Sequence, residues 1–295
     1  MLRSMYSGIS GLKAFQTKLD VVGNNIANVN TVGFKKGRTV FQDMMSQPIN
    51  GASAPTNIRG GMNPSQVGTG VQLGTIDNVH TQGYRQTTGR PLDLQLEGDG
   101  MFVFAQDVAE DATTINIGDS DIYFSRAGNL YFDANDYLVN ANGQYLVGQS
   151  TDENGNVVSS KIQIPKNAES LSFQSDGTVT YVDENGQTQE AGQIMLAKFS
   201  NPGGLEKVGG NMYRTTVNDG AFTDDGTGNI NGLEDLFAPE GEGTASIVSG
   251  ALEMSNVDLS EEFTEMITAQ RGFQANTRII TTSDEILQEL VNLKR

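Results

Sequence analysis

The feature that most limits what this chain can become is its last stretch, Asp258 to Arg295, which reads as one long amphipathic helix. Asp258 stands where an N-cap belongs, Glu261 is spaced to reach back to it, and Lys294 and Arg295 put positive charge at the negative end of the helix dipole. Between these marks Leu259, Phe263, Met266, Ile267, Phe273, Ile280, Leu287 and Val291 recur at helical spacing, and Ile286, Leu290 and Leu293 widen the stripe. No proline interrupts it. At about 1.5 Å per residue the helix runs to roughly 50 Å, longer than a small domain can cover. It needs a partner.

The matching segment is the other end of the chain, where Leu2, Met5, Ile9, Leu12, Leu19, Val22 and Ile26 repeat on the same steps. The sequence therefore predicts an α+β protein: paired, coiled-coil-like terminal helices and a central all-β domain of short strands. The predicted boundaries are 1–30 and 255–295 for the helices, 31–70 for an extended linker and 71–254 for the β-rich outer domain. The linker is drawn from Pro48, Pro55, Pro64 and Gly60-Gly61 among Ser, Thr and Asn. The β domain is drawn from a change of period. Leu92, Leu94 and Leu96 alternate with Asp93 and Gln95 as in a half-buried strand, and Asn142-Gly143 between Leu138-Val139 and Tyr145-Leu146-Val147 predicts a hairpin with a type I′ turn. Gly128-Asn129, Asn154-Gly155, Asp176-Gly177 and Asn185-Gly186 repeat the punctuation.

Composition narrows the chemistry. A net charge of −17 and a pI near 4.3 argue against nucleic acid or an anionic membrane as a partner of the whole chain. The acid is concentrated between Asp93 and Asp136, where Arg126 is the single base, whereas Asp20 is the single acid up to Arg38. Without cysteine there is neither a disulfide framework nor a thiolate site, and one histidine, His80, leaves little for zinc. The start of the chain is no ordinary secretory signal, because Ser4, Tyr6, Ser7, Gly8 and Ser10 break up any apolar run. Asp152-Glu153-Asn154-Gly155-Asn156 superficially follows a calcium loop, but its glycine is misplaced and the distal glutamate is missing, so a turn is the simpler reading. Asp224-Asp225-Gly226-Thr227-Gly228 fares no better. His80 has no nucleophile elbow or paired carboxylate beside it and reads as structural. No catalytic residue, cofactor or metal site is expected.

The cluster Asn24, Asn25, Asn28 and Asn30 followed by Gly33 reads in itself as a helix terminus. The full run Gly23-Asn24-Asn25-Ile26-Ala27-Asn28-Val29-Asn30-Thr31-Val32-Gly33-Phe34-Lys35 also resembles the signature of the bacterial flagellar axial proteins, the rod and hook subunits. Gly250-Ala251-Leu252-Glu253-Met254-Ser255-Asn256-Val257-Asp258-Leu259-Ser260 is similar to the family's second signature, and Ala269-Gln270-Arg271-Gly272-Phe273-Gln274-Ala275-Asn276 continues it. The motif residues carried over are Asn24, Asn25, Asn28, Asn30, Gly33, Phe34, Asn256 and Asp258.

The resemblance implies a structural subunit of a helical homopolymer, with the terminal helices forming an inner tube. Leu2, Met5, Ile9, Leu12, Leu19, Val22, Ile26, Leu259, Phe263, Met266, Ile267, Phe273, Ile280, Leu287 and Leu290 would serve helix pairing and the polymer interface. Within the family, Asn256-Val257-Asp258-Leu259-Ser260 and Thr88-Gly89-Arg90-Pro91-Leu92-Asp93-Leu94 resemble the hook branch. The expectation is thus a hook subunit, a flexible tubular joint that passes torque from rod to filament. The alternative is a distal rod subunit, a rigid drive shaft. Ser46 to Gly70 resembles an insertion of the stiffer rod, and residues 149–190 are too few for the extra outer domain of some hooks. Implied partners are further copies of the chain, the distal rod, hook cap and hook–filament junction proteins, and the flagellar export apparatus, with no nucleic acid and no membrane. The implied location is the flagellar basal body or hook, extracellular, reached without a cleaved signal peptide. A reading from another class, a secreted ligand-binding or hydrolytic β domain on a helical stalk, lacks any chemical constellation in the β region.

Overall fold

The computed structural model describes residues 2–56, 58–106, 108, 114–118, 120–151, 157–223, 230, 232–241 and 243–293. The candidate calcium loop at Asp152–Asn156, the Asn154-Gly155 turn, the run Asp224–Gly228 and the terminal cations Lys294 and Arg295 lie outside the described residues. The chain forms two compact units, one of residues 1–27, 36–79 and 257–295, the other of residues 28–35 and 80–256.

The first unit holds helix α1 (Leu2–Ala27), strands β1 (Gly37–Asp43), β2 (Ser46–Asn50), β3 (Ser65–Gly68) and β4 (Val71–Asn78), and the last element of the chain, helix α2 (Leu259–Asn292). Helix α1 stops at Ala27, within the asparagine cluster, whose members are poor helix-interior residues. Helix α2 is capped as anticipated: the Asp258 carboxylate accepts the Ser260 backbone N–H at 2.8 Å. Glu261 does not close a capping box, because its carboxylate takes Lys36 at 2.7 Å instead.

The segment expected as an extended linker carries structure. Strand β1 pairs antiparallel with β4 from Gly37↔Asn78 to Asp43↔Val71, and the Phe15 ring of α1 meets Phe41 edge-on, centroids 6.1 Å apart. Prolines and glycines hid this pairing from a composition-based reading. Strands β2 and β3 pair from Ser46↔Gly68 to Asn50↔Ser65, and bridges Ser53↔Met62 and Thr56↔Arg59 extend them into a long ribbon. Its side chains are exposed along nearly the whole length, and Pro48 and Pro55 suit a ribbon with no third strand.

The second unit is the β domain. Its strands are β5 (Arg85–Thr87), β6 (Leu94–Glu97), β7 (Met101–Gln106), β8 (Asp121–Ser125), β9 (Tyr131–Phe132), β10 (Leu138–Val139), β11 (Tyr145–Thr151), β12 (Val157–Lys161), β13 (Ser170–Phe173), β14 (Thr178–Val182), β15 (Thr188–Ile194), β16 (Leu196–Ala197), β17 (Glu206–Gly209), β18 (Met212–Arg214), β19 (Ser246–Ser249) and β20 (Ala251–Glu253). The main antiparallel sheet runs in the order β13-β14-β15-β11-β7-β8-β18-β17, with shorter strands attached at its sides. Strand β7 is covered on both faces: Phe102 and Phe104 enter one apolar cluster with Leu94, Leu96 and Leu146, while Met101, Val103 and Ala105 enter another with Phe124, Met195 and Tyr213. That explains its unbroken apolar run.

Two local expectations need correction. Strand β6 is not half-buried, since Asp93 and Gln95 are covered together with Leu94 and Leu96. The turn at Asn142-Gly143 is not type I′, which needs positive φ at both residues; of the two, only Gly143 is in that region (φ 81°). The Asn140 side chain sets this loop by accepting the N–H groups of Asn142 and Gln144 at 2.9 and 3.0 Å. A local side-chain bond has taken over the role assigned to backbone preference.

Candidate self-association surface

The two helices pair antiparallel within the first unit, and their seam is not the expected greasy stripe. Its α2 side consists of Glu262, Met266, Ala269, Gly272, Asn276, Ile280, Ser283 and Leu287, spaced three or four residues apart, with Glu262, Ala269 and Ser283 fully buried. Small residues let the backbones approach. A Cβ on Gly11 of α1 would lie 2.7 Å from Asn276, and one on Gly272 of α2 would lie 2.6 Å from the Phe15 ring. Lys18 pairs with Glu265 at 3.3 Å on the flank.

Because this face is small and partly polar, several large apolar residues of α2 are left outside. Leu259, Phe263 and Ile267 are exposed along one i, i+4 row, and Ile279, Ile286, Leu290, Val291 and Leu293 are exposed further along. An i, i+4 row advances by about 40° around the helix at each step, so the first group flanks the seam on one side and Ile279, Ile286 and Leu290 on the other. Of the residues assigned from sequence to pairing or interface, Val22 is fully buried, and Met5, Leu12, Leu19, Ile26, Met266, Ile280 and Leu287 are half-buried. Ile9, Leu259, Phe263, Ile267, Phe273 and Leu290 are exposed. The side chain of Leu2 lies outside the described residues. The residues expected to serve pairing and interface thus divide between a seam and two exposed apolar flanks.

The asparagine motif does more than end a helix. Asn25 is 1% exposed; its amide donates to the Gly37 carbonyl at 2.9 Å and to Glu262 at 3.1 Å, and its oxygen accepts the Gly37 N–H at 3.0 Å. One side chain thus joins α1, the start of β1 and α2. Burial, offset in part by the Asn25 bond and Lys36, holds the Glu262 carboxyl above the usual range. Asn28 shapes the following turn, accepting the Thr31 hydroxyl at 3.1 Å. Asn24 and Asn30 lie on the surface.

In the second unit the remaining motif residues converge on Glu253, a buried acid that sequence reasoning did not single out. Glu253 Oε1 accepts Lys35 Nζ at 2.6 Å and the Gly83 N–H at 2.9 Å, and Oε2 accepts Arg126 Nη1 at 3.5 Å. Lys35 also donates to the Thr81 carbonyl, and Asn256 reaches the Thr81 hydroxyl at 2.9 Å. Gly33 has φ 69° and donates its N–H to the Glu253 carbonyl at 2.8 Å, while the Lys207 ammonium lies 5.1 Å from the centre of the buried Phe34 ring. Desolvation lowers the pKa of both Lys35 and Arg126, partly countered by Glu253. The available signal was the presence of Lys35 and Glu253 inside the two motif runs. The partner Arg126, far from both in sequence, gave none.

His80 packs against Tyr213 with ring centroids 5.5 Å apart. Burial, aided by Lys35, Lys207 and Arg126, lowers its pKa to about 4, so it stays neutral. Among the described residues no group of acids and histidines is arranged to hold a metal, and no helix is long and apolar enough to cross a membrane.

Comparison with known proteins agrees with both terminal motifs. Residues 5–35 match the domain described as flagella basal body rod protein, residues 95–181 the flagellar hook protein FlgE/F/G D1 domain, and residues 248–293 the flagellar basal body rod FlgEFG protein C-terminal domain. Over its whole length the chain is 51% identical to the complete flagellar basal-body rod protein FlgG of Bacillus subtilis. It is 35% identical to the complete FlgG of Caulobacter vibrioides, with 99% of this chain covered. With the flagellar hook protein FlgE of Borreliella burgdorferi it shares 31% identity across all of both chains, in an alignment of 453 positions. A chain with both terminal signatures, the intervening D1 match and end-to-end relatives of this kind belongs to the FlgE/F/G family of flagellar rod and hook proteins.

Proposed function

We propose that this chain is a flagellar distal-rod subunit, a structural protein that polymerises through its terminal helices into a straight, torque-bearing tube. The observation that carries the branch is length together with identity. The rod relative of Bacillus subtilis aligns over 295 positions at 51% identity, whereas the hook relative requires 453 positions, more than this chain has residues. The hook expectation rested on short motif likenesses alone. The β2–β3 ribbon lies in the stretch whose sequence resembled a rod insertion, which favours the same branch.

The exposed Leu259, Phe263, Ile267, Ile286 and Leu290 are the apolar surface such a polymer would cover, since burial returns about 25 cal/mol per Å² of apolar area. An open contact between different faces of identical copies grows into a helical tube instead of closing. Electron microscopy of purified, assembled protein tests the branch: straight tubes are expected, and curved, supercoiled tubes would return the chain to the hook branch.

A further inference from the structure

The paired helices of the first unit are of unequal length, and the excess has an address. The contacts Gly8 with Ile280, Gly11 with Asn276, Phe15 with Gly272 and Asn25 with Glu262 fix the antiparallel register. Counted along that register, Leu2 at the start of α1 stands opposite roughly residue 285, at about 1.5 Å per residue on each helix. The last two turns of α2, from Ile286 on, therefore run past the end of α1. Ile286, Leu290 and Leu293 are 48%, 48% and 83% exposed there and lie on one side of the helix. The neighbouring acids Asp284, Glu285 and Glu289 make no ion pair among the described residues.

The same unit also carries a groove of about 450 Å³ between the first half of α1 and the base of the β2–β3 ribbon. Tyr6 and Ile9 on one wall and Met44 and Val67 on the other are apolar, and Tyr6 is 69% exposed. Arg3 and Lys13 line it as well, with no ion pair among the described residues, and no acid precedes Asp20 in the chain. An apolar trough with two cations fits an apolar helix end carrying carboxylates.

We infer that the overhanging end of α2 in one copy seats in the α1–ribbon groove of another, with Ile286, Leu290 and Leu293, which share one side of the helix, against Tyr6, Ile9 and Val67, and with Glu289 at the edge of that side towards Arg3 and Lys13. This rests on the polymer reading and specifies one of its contacts. Groove and overhang are different surfaces of one chain, so each copy that is captured still offers a groove, and growth stays open. The groove centres near residue 8 of α1 and the overhang near residue 291 of α2, so successive copies are displaced by roughly 16 Å along the helix axis.

The test uses full-length chains in which one half of the contact is lost. Lys13→Glu spoils the groove and keeps the overhang; Leu290→Asp does the reverse. Each variant alone is expected to remain monomeric in sedimentation while keeping the urea midpoint of the parent. An equimolar mixture is expected to form a one-to-one dimer that grows no further, and Lys13→Glu combined with Glu289→Lys in one chain is expected to recover at least a tenth of the parent's assembly. If either single variant assembles like the parent, or if the mixture stays monomeric while the parent polymerises, the contact is overturned and the polymer reading survives. A parent chain that stays monomeric under the same conditions overturns both.

Discussion

The two units bury opposite kinds of side chain. The β unit closes Leu94, Leu96, Phe102, Phe104, Leu130 and Leu146 to complete burial, and its sheet is covered by its own residues. The helical unit buries Ala269, Ser283, Glu262 and Asn25 along its seam and leaves Phe263, Ile267, Ile286 and Leu290 outside. A core that holds its largest apolar groups is self-sufficient, whereas a seam of small and polar groups gains little from dehydration and depends on close fit. On the proposed polymer reading, the first part folds by itself and the second is completed by other copies.

The sharpest way to break this contrast is at Glu253. Glu253→Gln leaves Lys35 and Arg126 buried without a counter-charge, and a loss of about 3–5 kcal/mol is expected from urea unfolding of the β unit. A loss below about 1 kcal/mol would show that water enters the cluster. Next in size is the pH response of His80. The unfolded chain takes up a proton near pH 6.5, while the folded protein resists until about pH 4, so stability falls as pH drops through that window, is flat above it, and levels off below it. The full span amounts to about 3 kcal/mol at most. His80→Gln is expected to remove this slope, and an unchanged slope in the variant would assign it to other groups.

Smaller effects belong to the helices. Gly272→Leu drives a side chain into the Phe15 ring and is expected to cost about 1–3 kcal/mol of pairing, read as faster amide exchange in α1 and α2 with the β unit unaffected. Smallest of all for the isolated chain is Phe263→Ser at a half-exposed position, within about 0.5 kcal/mol in unfolding. The same variant is expected to stop assembly in sedimentation. If Phe263→Ser instead unfolds the monomer, the apolar face is internal and the contrast between the units fails.

Much of this was legible in the sequence, for reasons that can be named. Helical spacing and the Asp258 cap located α2 to within a few residues, and the asparagine cluster located the end of α1, because periodicity and capping are local. The facing of α2 was legible only in part: Met266, Ile280 and Leu287 do lie in the seam. Hydrophobicity pointed to Phe263, Ile267 and Leu290, but contact in the seam is governed by size, and Gly272, Ala269 and Ser283 look unremarkable in a hydropathy pattern. Strands β1 and β4 were missed because their pairing partners lie on either side of a proline-rich ribbon. The Glu253 cluster was hidden for the same kind of reason: Lys35 and Glu253 stood inside the two motif runs, but their pairing with each other and with Arg126 arises only through the fold. For the branch of the family, motif fragments of a few residues pointed to hook, whereas identity and length over the whole chain favour the rod alternative.

The bond between Lys35 and Glu253 spans 218 positions of sequence. Synthesis proceeds from the N-terminus, so a nascent chain carries the lysine long before the carboxylate exists. Until then the ammonium stays hydrated, the Gly83 amide lacks that acceptor, and Gly33 has no carbonyl to meet. Completion of the β unit is thereby tied to the last sixth of the polypeptide, and contacts of such sequence separation raise the loop-closure entropy that its folding must meet.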